Sequence, residues 1–209
     1  MLQGVEDMAD DTTSCNIDPD RFDAHRPPAL IRACTPADRM RLSRLERAGV
    51  ITRLDRGLYL KPGVEPGCHQ EIAAIGLRRP EIVICLLSAL SFHQLTLQLP
   101  HTVYVGIETG QRPPRWNWPS ITPVALAPKK HPAGIVVHDV DGVRVRLTDP
   151  ARSVADCWRF QAVVGLEATL EATKMALAER ACTLDGIMQH LDHYGLTERV
   201  RPYLVGMTA

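Results

Sequence analysis

The feature that most limits what this chain can fold into is the stretch from Thr35 to Lys61, where a short basic helix, a glycine stop and a tight hairpin follow one another without slack. Thr35 is a good N-cap, Pro36 occupies the first helical position, where its missing N–H is not needed, and Asp38 has capping-box spacing. The helix is expected to run to Ala48 and stop at Gly49. On a helical wheel Leu42, Leu45 and Ala48 share one side and predict a packing stripe, while Arg39, Ser43 and Arg47 recur on another and predict an outward face. Val50 to Leu54 is β-prone, Asp55-Arg56-Gly57 supplies a turn, and Leu58 to Lys61 returns before Pro62-Gly63 ends the strand.

Arg53 and Arg56 then stand near the hairpin tip, and Lys61 closes the returning strand. Guanidinium donors so placed suit phosphate oxygens beside a groove that the helix enters. A solvated charged face would explain a run of charge by itself. A capped helix, a glycine stop and a basic hairpin in this order favour the recognition helix and wing of a winged helix-turn-helix. The predicted DNA-contacting set is Arg39, Ser43, Arg44, Arg47, Arg53, Arg56 and Lys61.

Charge is distributed to match. The 209-residue chain has formal net charge zero, yet residues 1–31 carry seven acids against two bases, residues 32–61 eight bases against three acids, and the remainder fourteen of each. A neutral whole therefore does not argue against DNA, because the local field decides how a groove is approached. Residues 1–20 hold six acids and no Lys or Arg, which fits neither a secretory leader nor a transit peptide and predicts an acidic, disordered tail. The longest aliphatic run, Ile82 to Leu87, is far short of the ~20 residues that cross a bilayer. No membrane partner is expected, and the expected setting is the cytoplasm. Six cysteines, Cys15, Cys34, Cys68, Cys85, Cys157 and Cys182, form neither a zinc-ribbon pattern nor a disulfide framework, so reduced thiols are expected. His190 and His193 share a helical spacing, but with no third ligand in view they are read as ordinary surface or core histidines, and no metal site or cofactor is expected.

Three regions are expected: the tail at 1–20, a small and abbreviated winged domain at 21–63, and a larger α+β domain at 66–209, with a mixed or antiparallel sheet ending in a helical bundle. In the larger part, helices are predicted over His69–Leu77 and Ser88–Gln94, and strands over Thr102–Ile107 and Ile121–Leu126. A hairpin is predicted from Gly134–His138 and Val143–Leu147, and a capped helix from Thr148-Asp149-Pro150. Three further helices are predicted over Val164–Ala178, Leu184–His193 and Thr197–Leu204. The loop from Gln111 to Pro119 places Arg112 and Arg115 beside Trp116 and Trp118; those tryptophans either contact nucleic acid or, the weightier alternative, pin the loop to the domain.

A catalytic set is not legible. There is no nucleophile elbow, Walker loop or dinucleotide glycine loop. Glu108 ends a strand, Asp139 and Asp141 occupy a turn, Glu171 belongs on a solvated helix face, Asp149 is a helix cap, and Asp156 is a buried acid awaiting Arg152 or a hairpin arginine. The chain is not expected to be an enzyme.

Several blocks together resemble the AbiEi family of AbiE-type antitoxins and transcriptional regulators, of type IV toxin-antitoxin systems. They are Leu45-x-x-Ala48-Gly49 with Asp55-Arg56-Gly57-Leu58-Tyr59; Leu86-Leu87-Ser88-Ala89-Leu90-Ser91-Phe92-His93-Gln94-Leu95; Pro100-His101-Thr102-Val103-Tyr104-Val105; Thr148-x-Pro150-Ala151-Arg152-Ser153-Val154-Ala155-Asp156; and Arg201-Pro202-Tyr203-Leu204. The resemblance spans about residues 30 to 206. It implies a phage-defence or abortive-infection operon in which this protein represses its own promoter at inverted repeats, with self-association on the operator DNA. The functional partner it implies is a nucleotidyltransferase-like toxin, with no direct antitoxin–toxin complex required. It places the recognition-helix positions on Arg39, Ser43, Arg44 and Arg47 and the wing positions on Arg53 and Arg56. Upstream, where the family has a pair of helices, Arg26-Pro27-Pro28 leaves only Ala29 to Ala33, so support for the helix is abbreviated or comes from residues 16–25. Two other functions stay open: a partner-binding inhibitory module without competent DNA binding, and a metal-dependent nucleic-acid-processing enzyme using Asp139, Asp141 and Asp156.

Overall fold

The computed structural model describes residues 29–63 and 67–208. The expected acidic tail and residues 16–25 lie outside the described residues.

Helix α1 (Pro36–Arg47) begins as its sequence dictates. The Asp38 N–H donates to Thr35 Oγ1 at 3.1 Å and the Thr35 N–H donates to Asp38 Oδ2 at 2.8 Å, a complete capping box. At the other end Gly49 adopts φ +72°, its N–H donates to the Glu46 carbonyl, and the Val50 N–H donates to the Leu45 carbonyl. This left-handed closure spends the Val50 amide on the helix, so strand β2 starts at Thr52 rather than at Val50. Ala48, expected in the packing stripe, is the C-cap and is exposed; Leu42 is fully buried and Leu45 packs beside it.

Strands β2 (Thr52–Asp55) and β3 (Leu58–Leu60) pair antiparallel across the Arg56-Gly57 turn, with an irregularity between Arg53 and Asp55. Upstream of α1 the chain is a strand, β1 (Leu30–Arg32), rather than a remnant of a supporting helix. It pairs antiparallel with β3, and bonds from the Lys61 N–H to Ala29 O and from the Ala33 N–H to Gly57 O bracket the ladder. The resulting order is β1-β3-β2. Ile31, Ala33, Ile51 and Tyr59 cover Leu42, which fixes α1 on this small sheet.

The rest of the chain is built on a mixed five-stranded sheet. Its elements are α2 (Gln70–Arg78), β4 (Val83–Ile84), α3 (Leu86–Phe92), β5 (Val103–Ile107), β6 (Ile121–Ala125), β7 (Ile135–Val140) and β8 (Val143–Thr148). The strand order is β6-β5-β4-β8-β7; β4 runs antiparallel to β5 and parallel to β8, and β5 runs parallel to β6. The aliphatic run at Ile82–Leu87 divides between central strand β4 and the first turn of α3, with Leu86 at φ +51°.

Alternation along the strands separates two cores. Ile84, Val103, Val105, Val143, Val145 and Leu147 face α2, and Leu30 and Leu58 of the small sheet join that same cluster. Val83 faces the other way, into a cluster with α3 and the C-terminal helices. Those helices are α4 (Pro150–Arg159), α5 (Gln161–Val164), α6 (Leu166–Ala178), α7 (Leu184–His193) and α8 (Thr197–Thr208). Four follow α4 rather than three, because Gly165 at φ +91° splits a single turn from α6. The whole is α+β, with two sheets and eight helices among the described residues. No helix among them is long and apolar enough to cross a membrane.

Candidate nucleic-acid interface

The outward face of α1 and the β2–β3 hairpin enclose a groove of about 540 Å3. Arg39, Met40, Ser43, Arg44 and Arg47 line it from the helix, Arg53 and Arg56 from the hairpin, with Gly57 and Tyr59 behind. Six of the seven predicted contact residues therefore meet in one concavity. Lys61 does not line it: it follows β3 at the end of the ladder away from the turn, where its N–H is bonded to Ala29 O. Met40 and Tyr59 were not anticipated. Met40 is 60% exposed, and its sulfur accepts from Arg44 Nη2 at 3.6 Å.

None of the lining residues is acidic, and two acids close by, Asp38 and Asp55, are engaged elsewhere. The Thr35 backbone N–H, with the capping hydroxyl, holds the Asp38 carboxyl below its ordinary value and turned into the helix cap. Asp55 is drawn away by Arg78. Arg78 Nη1 donates to Asp55 Oδ2 at 2.9 Å and to Trp118 O at 3.0 Å, and Nη2 donates to Arg56 O at 3.3 Å. Its guanidinium lies 5.1 Å from the centre of the Trp116 ring. Burial pushes the Asp55 carboxyl up, but the Arg56 N–H and the Arg78 guanidinium outweigh it and leave the group below its ordinary value. The hairpin turn is thus locked to α2 and to the tryptophan loop. Trp116 and Trp118 pack against the core cluster of α2, the pinning alternative. No local signal marks Arg78, which lies 23 residues from Asp55 in the chain.

Positively charged forks along a helix and an adjoining hairpin, with no acid among the lining residues, make a surface suited to a polyanion.

Five of the other acids that the sequence offered are dispersed into structural bonds. Asp139 Oδ1 accepts from the Gly142 N–H at 2.9 Å, and Asp149 caps α4 through the Arg152 N–H. Glu108 accepts from the Lys129 N–H, and Glu171, expected on a solvated face, accepts from the Leu97 N–H at 2.7 Å. Asp156 is fully buried between Arg152 Nε at 3.4 Å and Tyr194 Oη at 2.6 Å, and burial pushes its carboxyl up to about 6. Asp139, Asp141 and Asp156 do not gather. Among the described residues no group of three or more His, Cys, Asp or Glu is placed to hold a metal ion. His190 and His193 do meet His131, whose ring stacks on His193 with centroids 3.8 Å apart; burial, then the Arg152 charge, pushes the His131 imidazole down to about 4. The five described cysteines are free thiols.

A mixed α+β chain carrying a basic helix–hairpin unit is thus the class that fold and site define. No family model and no curated protein matches it. Among solved structures it is similar to the RV2827C protein from Mycobacterium tuberculosis, with a TM-score of 0.56 and 11% sequence identity over 81% of this chain and 68% of that one. The likeness is one of fold.

Proposed function

We propose that this chain is a DNA-binding antitoxin and transcriptional autorepressor of the AbiEi kind, with α1 as the recognition helix and β2–β3 as the wing of a winged helix-turn-helix. The observation that carries the DNA-binding part is the groove in which Arg39, Ser43, Arg44, Arg47, Arg53 and Arg56 converge and whose lining holds no acid. The major groove of B-DNA admits an α-helix, so Arg47 and Arg39 would approach base edges while Arg53 and Arg56 touch phosphates. Inverted repeats at its own promoter would seat two copies side by side. The part of the chain after residue 66 would then serve antitoxicity against a nucleotidyltransferase-like toxin in the cytoplasm, without a direct complex; the family resemblance supports that portion.

Fluorescence-anisotropy binding of the purified chain to its own upstream region and to a scrambled duplex, at two salt concentrations, tests the proposal. Tight, selective, salt-weakened binding is expected; equal weak binding to both duplexes would refute it. A second reading, a partner-binding inhibitory module, draws on Leu97 and Leu99, which are 79% and 84% exposed on one loop. Stable co-purification with the product of the neighbouring gene would favour it.

A further inference from the structure

The five-stranded sheet ends on two unlike edges, β6 on one side and β7 on the other. A row of unpaired N–H and C=O groups recruits further strands, so natural sheets guard their edges with proline, lysine, bulges or a covering segment. β6 carries Pro123 at its centre, which removes one donor from that strand. β7 has no such guard in its sequence or its pairing. It holds neither proline nor lysine, and it pairs with β8 from Ile135 to Val140 without a register shift. Val136 and Val137 in its middle are 41% and 48% exposed.

The hydrogen-bond phase of the β7–β8 hairpin determines which backbone groups are open. Asp141 and Gly142, at φ +51° and +76°, form a two-residue turn, so Val140 and Val143 make a bonded pair. At the other end the Asp149 N–H donates to Gly134 O at 2.8 Å. Alternation between these two points turns the backbone of Val136, His138 and Val140 toward β8 and that of Ile135, Val137 and Asp139 outward. The Ile135 N–H is taken by Pro132 O. The Val137 and Asp139 N–H groups, and the carbonyls of Ile135, Val137 and Asp139, form no hydrogen bond to another element among the described residues.

These open groups complement themselves. We propose that two copies of this chain pair through β7, antiparallel about a two-fold axis at Val137, and so join their sheets into one. In that register the Val137 N–H donates to Val137 O of the second copy and the Asp139 N–H to its Ile135 O, and the same bonds return by symmetry. Val137 then meets its own counterpart, apolar against apolar. Moving the axis to His138 would make as many bonds, but it would oppose Val137 to Asp139 and His138 to a second His138. One strand pair is a small interface, so the association depends on concentration. It concerns the chain without DNA and does not rest on the DNA-binding reading.

Sedimentation equilibrium of the full chain, without DNA and over a wide range of concentration, should show a monomer–dimer equilibrium. Val137→Pro removes an outward N–H while the residues that bond β8 keep theirs. Losing the two central bonds should weaken dimerisation by about thirtyfold. Val137→Lys keeps the backbone groups but sets like charges together at the axis, and should weaken it as well; this variant is read if Val137→Pro loses the cooperative thermal melt of the wild type. Val137→Cys tests the register. The Cα atoms of a bonded pair lie about 5.5 Å apart, within disulfide range, so mild oxidation should link the two introduced thiols. Peptide mass spectrometry separates that product from links between the native free thiols. A wild type that stays monomeric up to its solubility limit would overturn the proposal. A dimer that neither Val137→Pro nor Val137→Lys weakens would overturn it too, by placing the contact on another surface. A dimer that those variants weaken but whose introduced thiols do not link would overturn the axis at Val137.

Discussion

Replacing Arg78 by Met would retain most of the aliphatic stem and delete the guanidinium that joins hairpin, α2 and tryptophan loop. The side chains of Arg78 and Asp55 are only 8% and 7% exposed, so the variant leaves a largely buried carboxylate without its cation. Removing one partner of a buried pair costs about 3–5 kcal/mol. The stranded group sets its own ceiling, because it can escape by binding a proton. From an ordinary value near 3.9 that escape costs about 4 kcal/mol at pH 7 and about 1.5 kcal/mol at pH 5. In the wild type the Asp55 carboxyl lies below its ordinary value, so its contribution is fully present above that value and is lost only as the pH falls through the depressed one. Wild-type stability should therefore not change between pH 7 and 5 on account of this group. In the variant the folded carboxyl is raised, and acidification favours the folded state. Urea unfolding should show Arg78→Met destabilised by about 3–4 kcal/mol at pH 7, with the deficit shrinking by about 2 kcal/mol at pH 5. Adding Asp55→Asn should recover much of the pH 7 loss and remove its pH dependence. A deficit below about 1 kcal/mol at pH 7, or one that does not shrink on acidification, would refute the account of a buried, charged pair.

Other substitutions separate recognition from architecture. Arg47→Ala should cost about 1–3 kcal/mol of specific binding if its guanidinium reads a base, whereas Arg56→Ala should lower affinity across all sequences and flatten the salt slope by about one unit; anisotropy titrations on operator and scrambled duplexes tell the two apart. Wild-type affinity in both variants would remove the groove from consideration. Thr35→Ala deletes the capping hydroxyl and should destabilise the fold by about 1 kcal/mol in urea, with no change if the cap is dispensable. Gly76→Ala would put a Cβ 2.7 Å from Val145 Cγ2 and 3.0 Å from Arg144 O, where α2 lies on β8, and should cost about 1–3 kcal/mol; an unchanged melting temperature would contradict that close approach.

Much of the candidate site was legible because its signals are local. Thr35, Pro36 and Asp38 determine where α1 starts, Gly49 where it ends, and Arg56-Gly57 where the hairpin turns, each through backbone bonds a few residues long. The spacing of Arg39, Ser43 and Arg47 then suffices to predict a common face. The same locality explains the differences at the margins: Val50 reads as strand, but its amide is taken by the helix closure, and Lys61 follows β3 at the end away from the turn, outside the groove lining. Glu171 reads as solvated because its partner, the Leu97 amide, lies 74 residues away.

By itself the sequence determined the helix, its caps and the hairpin, because sterics and hydrogen bonds between near neighbours decide those. Only the tertiary structure decided that Leu30–Arg32 pairs with β3 instead of coiling into a helix, that Val83–Ile84 becomes the central strand, and that Arg78 removes Asp55 from the basic groove. Those outcomes depend on which distant segments meet and on the desolvation each meeting imposes. No window of neighbouring residues contains that information.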